Sequence, residues 1–411
     1  MSLRRNVTSL TPALLTLAVL ITGCAGQADD AKSASEEASS SPTTPHGYVE
    51  GATEAAEQQS RLVLGDTGTG ATQVLDLITG KVRDTARRAD AAGLTTDGRF
   101  AYFHGPDGTH VLDSGAWTVD HGDHVHYYRA RIQEVGALPG GTATAVRGDS
   151  GVTVVTRADG EAAVYSRAGL EKGTVGSPDA LPGGYAAPVV PYAEHLVALT
   201  RAAGKGPAKV AVLDRSGKRV AAPEAECTDP EGDAVTRRGV VLGCADGALL
   251  VKEDAGTFTA EKIPYPEDAP DEERATVFRH RAGSTTLTAP AGDGAVWVLD
   301  VTERSWTRVE TGPVVAANTA GEGAPLLVLE TDGALHAYDI SSGEEGAVTE
   351  PLLEDVVKDA SAPVIEVDRS RAYLNDPSGR RVYEVDYNDN LRIARTFDLD
   401  LRPSMMVETG R

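Results

Sequence analysis

The chain has 411 residues, long enough for one large repeat domain or two to three ordinary ones, and its composition is globular. Asp and Glu number 61 against 39 Lys and Arg, a formal charge of −22 that repels phosphate backbones and anionic headgroups and excludes nucleic-acid binding. The 44 glycines, 22 prolines and only 5% aromatic residues point to many turns and β-branched strands and exclude a mainly helical chain.

Residues 1–23 read as an export signal. Arg4 and Arg5 form a positive start, Leu14 to Ile21 a short apolar run, and no acidic residue interrupts them. The segment ends in Ile21-Thr22-Gly23-Cys24, which resembles the lipobox of bacterial lipoproteins, so Cys24 is the expected lipidated first residue of the mature chain. Loss of the two arginines takes the formal charge from −22 to −24. The expected location is the outer face of the bacterial cytoplasmic membrane, with the lipid as the sole membrane contact and the protein a monomer. Residues 24–45, rich in Ser, Ala, Glu, Thr and Gln, offer almost nothing to bury and form an expected flexible tether.

The remainder, 46–411, returns repeatedly to one phrase: a short apolar strand, a Gly or Asp-Gly turn, then a strand ending in Val-Leu-Asp or its like. Clear copies are Val74-Leu75-Asp76, Val111-Leu112-Asp113, Val212-Leu213-Asp214, Val298-Leu299-Asp300, Ala337-Tyr338-Asp339 and Glu384-Val385-Asp386, with weaker ones at Tyr165-Ser166 and Val251 to Asp254. Their spacings of 37, 53, 48, 40, 46, 39 and 47 residues are those of propeller blades. The fold expected is therefore all-β, a β-propeller of about eight blades, with seven as the alternative. Asp97-Gly98, Asp107-Gly108, Asp159-Gly160, Asp246-Gly247, Asp293-Gly294 and Asp332-Gly333 sit between β-type runs as hairpin turns. Helical periodicity is confined to a short turn at Thr53 to Gln59. Ring closure is expected from a terminal strand, either after Leu391 or around Tyr48. Cys227 and Cys244 are expected to form a structural disulfide, since exported chains keep disulfides, and the short loop predicts about 3 kcal/mol of stabilisation.

Candidate chemistry is densest at Asp120-His121-Gly122-Asp123-His124-Val125-His126, which holds three of the nine histidines. Imidazole and carboxylate are the donors a borderline ion such as zinc takes. In an extended segment His124 and His126 face one side, and Gly122 lets His121 fold back toward them. The spacing admits one metal, two neighbouring ones, or an exposed loop whose histidines only titrate. His104, His195 and His280 lie in other repeats, and a propeller could bring any of them to the same face.

The run Leu112 to Val119 followed by Asp120 to His126 resembles the AztD-like zinc metallochaperones, exported propellers linked to zinc ABC transporters. Arg61 to Asp66 leading to Val74-Leu75-Asp76-Leu77, and Leu242 to Gly247 leading to Ile263-Pro264-Tyr265-Pro266, extend the likeness over most of the domain. The resemblance implies a protein that binds zinc outside the cytoplasm and delivers it to the solute-binding protein of the importer. It implies His121, His124 and His126 as zinc ligands, with Asp120 and Asp123 as ligands or as acceptors that fix the imidazole tautomers. The chain departs from the family pattern in three places. Glu231-Gly232-Asp233 stands where His-Gly-Glu is expected, Pro182-Gly183-Gly184-Tyr185 replaces a His-bearing segment, and the N-terminal region keeps only His46. One of the family's two sites is thus expected to be altered or lost.

Enzyme readings find little support. Gly148-Asp149-Ser150-Gly151 has the look of a protease nucleophile loop, but it lies between two β-type runs and reads as a hairpin turn. His-Glu-x-x-His, Gly-x-Ser-x-Gly and phosphate-cradling glycine loops are missing from the sequence. The protein is expected not to be an enzyme. The alternatives are a lipid-tethered interaction scaffold and, with less support, a metal-dependent lactonase, whose carboxylate-rich calcium site differs from a histidine cluster.

Overall fold

The computed structural model describes residues 48–121, 124–201, 206–267, 269–354, 356 and 363–411. The signal over 1–23, the tether over 24–45, Cys24, His46 and Asp123 lie outside the described residues.

Eight antiparallel sheets follow one another along the described chain, each a meander from an inner to an outer strand. The eight repeated phrases, seven ending in Asp and one in Ser166, all fall on, or at the end of, the strand next to the outermost one in successive sheets, including the two weaker copies within Ala162–Ser166 and Gly247–Asp254. The terminal aspartate has a local task. Asp76, Asp214, Asp300, Asp339 and Asp386 each accept a backbone N–H two or three residues on, at 2.8 to 3.2 Å. The turn into the fourth strand is thereby closed by the side chain itself, which is why a short carboxylate recurs there. Gly247 shows the cost of a wrong residue at a hairpin. Its φ is +137°, and a Cβ would lie 2.2 Å from the Ile263 carbonyl.

The core is divided among the interfaces between neighbouring blades. Leu62 and Leu64 pack against Tyr373 and Val382 of the last blade, while Val63 between them packs against Ala101 and Phe103 of the second. Strand alternation sends successive side chains to opposite neighbours, so the inner strands read as unbroken apolar runs. Among the described residues eight apolar clusters join adjacent blades in this way, and the last returns to the first. Closure comes from Met405–Thr409, which pairs with Arg61–Gly65 as the innermost strand of the first blade. That is the expected region after Leu391; the stretch around Tyr48 does not serve.

Three expectations are settled locally. Cys227 and Cys244 are bonded, with Cα atoms 5.2 Å apart, and tie the fourth blade to the fifth. The helical turn expected at Thr53 to Gln59 is a correction: Thr53–Ala55 is a strand, because its backbone groups pair with Val125–Arg129 and the periodicity was too short to compete. Asp149 accepts the N–H groups of Gly151 and Val152 at 2.8 and 2.9 Å, so the Asp149-Ser150-Gly151 segment is a turn.

A ninth sheet interrupts the second blade. Between its third strand, Gly108–Asp113, and its fourth, Gln133–Pro139, the chain projects a ribbon of Ala116–Asp120 and Val125–Arg129, edged by Thr53–Ala55. Trp117 and Tyr128 stack at its base with ring centres 5.3 Å apart, and Arg99 lies 3.7 Å over the Trp117 ring. Thr118 donates to the Gly410 carbonyl at 2.7 Å, which holds the ribbon beside the central channel.

Candidate metal centre

The histidines lie at the tip of this ribbon. His121 N–H donates to the His124 carbonyl at 3.0 Å, closing the loop, and Val119 pairs with His126 across the strands. This brings the three rings together. Centre-to-centre distances are 4.8 Å for His121 and His124, 4.9 Å for His124 and His126, and 5.4 Å for His121 and His126. One ligand atom from each lies within 4.8 Å of the others, with His121 and His124 exposed and His126 half-buried. Zinc bonds of about 2.0 to 2.1 Å to imidazole need ligand atoms roughly 3.4 Å apart, a small contraction for an exposed loop.

The sequence concealed one member of this site. Glu54 Oε1 lies 2.7 Å from His126 Nδ1, because Thr53–Ala55 adds to the ribbon edge with Glu54 opposite Tyr128. A carboxylate on Nδ1 fixes the tautomer that leaves Nε2 free to bind metal. Only the strand pairing brings together two residues 72 positions apart in the chain. His126 also stacks on Tyr128 at 6.2 Å.

The other expected residues are dispersed. Asp120 Oδ2 meets Arg237 of the fifth blade at 3.4 Å and borders a channel-mouth cavity of about 610 Å³. His104 is buried in the second blade between Thr95, 2.8 Å from Nε2, and Thr109, 3.3 Å from Nδ1. Burial, reinforced by Arg147, pushes its pKa down to about 4. His195 sits on a hairpin of the fourth blade, its Nδ1 2.7 Å from the Ala193 carbonyl and its ring against Phe258. His280 faces the channel, where desolvation and Arg411 push its pKa down to about 4, and its Nε2 approaches the Val235 carbonyl at 3.2 Å. None of these three belongs to the ribbon cluster.

The altered stretches carry no second histidine site. Asp233 is bonded by Arg147 at 2.6 and 2.9 Å, and Glu231 by Arg274 at 2.6 Å. Both carboxylates already face a guanidinium, which a cation would have to displace. A different cluster, Glu330, Asp332 and His336, lies on the seventh blade and was not anticipated from the sequence.

Two solved structures of AztD from Citrobacter koseri match this chain with a TM-score of 0.69, each over 86% of it and 98% of their own length. Sequence identities are 20% and, for the apo form, 18%. The fold is that of AztD. The dihydro-heme d1 dehydrogenase NirN matches at a TM-score of 0.52 and 15% identity, over 87% of this chain and 76% of its own. The AztD fold thus has an enzyme among its wider likenesses, and chemistry must be argued from the site. No family model matches the sequence. A Streptomyces cyaneus protein, by name a polyketide beta-ketoacyl synthase 2, is 30% identical over 191 residues. That match spans 45% of this chain and 42% of the other, less than half of either.

Proposed function

We propose that this protein is an extracytoplasmic zinc carrier, held by a lipid on Cys24 at the outer face of the cytoplasmic membrane, that delivers zinc to the solute-binding protein of a zinc ABC importer. The observation that carries the reading is the convergence of His121, His124 and His126, with ligand atoms within 4.8 Å, on a ribbon that projects from the blades. The AztD fold and the likeness of Leu112 to His126 to the zinc metallochaperones support it.

The chemistry is ligand exchange, with zinc as cargo. Three imidazoles leave a fourth position open, and an acceptor's donors enter there while the carrier's imidazoles leave one at a time. Glu54 orients the half-buried His126, while His121 and His124 stand exposed where a partner can reach the ion. Asp120, beside Arg237, lies at the base of the loop and is placed to orient it. Each imidazole must be neutral to bind, so affinity falls as pH drops through about 6.5.

The test is zinc stoichiometry and affinity of the purified protein beside a variant with His121, His124 and His126 all changed to Ala. The expected result is that the variant holds one tight equivalent fewer than the parent protein. Transfer is then followed in the presence of a chelator. Delivery to the acceptor despite the chelator supports direct hand-over, whereas capture of all the zinc by the chelator sinks the delivery role. A parent protein that holds no zinc above background removes the reading altogether.

A further inference from the structure

The seventh blade carries the chemistry of a second, different metal site. Its second strand, Leu326–Glu330, and third, Leu335–Tyr338, form a hairpin whose alternation puts Glu330, His336 and Tyr338 on one face, toward the sixth blade. Glu330 and His336 are both buried, with side chains 8% and 10% exposed.

The two oxygens of Glu330 are treated unequally. Oε1 accepts the Tyr338 hydroxyl at 2.5 Å and the Gly312 N–H at 2.9 Å. Among the described residues none donates a hydrogen bond to Oε2, which lies 3.7 Å from His336 Nε2. The opposite ring nitrogen, Nδ1, meets Glu345 at 3.0 Å, so that carboxylate can accept a hydrogen bond from Nδ1–H and leave Nε2 as a lone-pair donor. Asp332, exposed at the hairpin turn, brings Oδ2 to 3.2 Å from the same Nε2. Charge-assisted hydrogen bonds run at about 2.7 to 2.9 Å, whereas ligand atoms around a tetrahedral ion lie roughly 3.4 Å apart. Separations of 3.2 and 3.7 Å fit the second spacing better.

We propose that Glu330, Asp332 and His336 bind a divalent transition-metal ion of zinc type at the rim of the cleft between the sixth and seventh blades. One imidazole and two carboxylates suit borderline ions, and a water completes the set. Glu345 and Tyr338 act as positioning residues. The Tyr338 and Gly312 bonds hold Glu330 in place, and exposed Asp332 gives the ion its way in. The proposal does not depend on zinc delivery by the ribbon.

The test uses the purified protein carrying H121A, H124A and H126A, so that the ribbon is silent. It is loaded with zinc, dialysed and measured for metal by plasma emission; a cobalt-loaded sample is read by its visible spectrum. The expected result is one retained equivalent, weakened 100-fold or more by His336→Gln or Glu330→Gln, with the cobalt band lost in both. Should those buried changes unfold the chain, Asp332→Asn at the exposed turn is the substitute, and it should weaken binding at least 10-fold in a folded protein. Background metal in the triple variant overturns the proposal, as does retained metal indifferent to all three changes. Neither outcome bears on the ribbon, whose zinc is read as the difference between the parent protein and the triple variant.

Discussion

Two hairpins of this molecule gather metal-type donors, and they are built in opposite ways. At the ribbon tip, His121 and His124 are exposed, a backbone bond closes the loop between them, and the half-buried His126 is anchored by Glu54. On the seventh blade, Glu330 and His336 are buried, and neighbouring residues hold one atom of each. Exposed imidazoles let donors leave singly, which suits an ion that must move on. Donors locked by a blade interface lose little freedom on binding and suit an ion that stays. The contrast teaches that the same residue types acquire different kinetics from the packing behind them.

The largest effect that would sharpen this contrast is on affinity. Changing His121, His124 and His126 to Ala should weaken zinc binding at the ribbon by about 1000-fold or more, while the thermal midpoint of the zinc-free protein stays within experimental error, because exposed and half-buried side chains at a loop tip carry little stability. A large loss of stability would break the comparison, since the ribbon would then be part of the core.

Removing the Cys227–Cys244 disulfide should do the reverse. The bond spans 17 residues and should cost about 3 kcal/mol in chemical denaturation, with zinc affinity at the ribbon unchanged.

Acid separates the two kinds of histidine. His104 has a folded-state pKa of about 4 against 6.5 in the unfolded chain. The unfolded state therefore takes up a proton first, and stability present above pH 6.5 is lost as pH falls from 6.5 toward 4, by up to about 3 kcal/mol. His280 acts in the same direction. Denaturation midpoints at pH 7, 5.5 and 4 should show this decline, flattened in His104→Gln, whereas zinc release should already be under way near pH 6.5. The smallest effect concerns Glu54. Glu54→Ala should lower zinc affinity about 10- to 100-fold, read by competition with a chromophoric chelator, without loss of stability. An unchanged affinity would show that the ribbon needs no support for His126.

Much of the fold was legible because it rests on local rules written repeatedly. The Asp-ending phrases fall on the strand next to the outermost one of their sheets, since the aspartate closes the next turn through its own side chain. The ribbon histidines were legible because three histidines within six consecutive positions that include a glycine can converge without help from distant residues. Glu54 was not, because its place depends on edge pairing between strands far apart in the chain. The short run around it looked weakly helical. The seventh-blade cluster was hidden differently. Asp332-Gly333 reads as a turn and His336 as one polar residue in an apolar strand, although alternation already places Glu330, His336 and Tyr338 on one face. His104, His195 and His280 show the converse limit. Each is accounted for by neighbours in its own or an adjacent blade, which no count of histidines could reveal.

The closure of the ring has a bearing on when the protein becomes itself. Arg61 and Thr409 sit opposite one another across 348 residues of intervening chain, and Met405–Thr409 is the innermost strand of the blade that Arg61–Gly65 begins. A chain that emerges amino end first presents seven blades' worth of strands before the final partner arrives. Until then the inner edge of the first blade is an unpaired β-edge beside an open apolar flank, the kind of surface that recruits other chains. Completion is thus a single late event, set by the slow search of widely separated segments rather than by the quick folding of any one blade. Whatever delays those five residues leaves a nearly finished ring with a sticky seam.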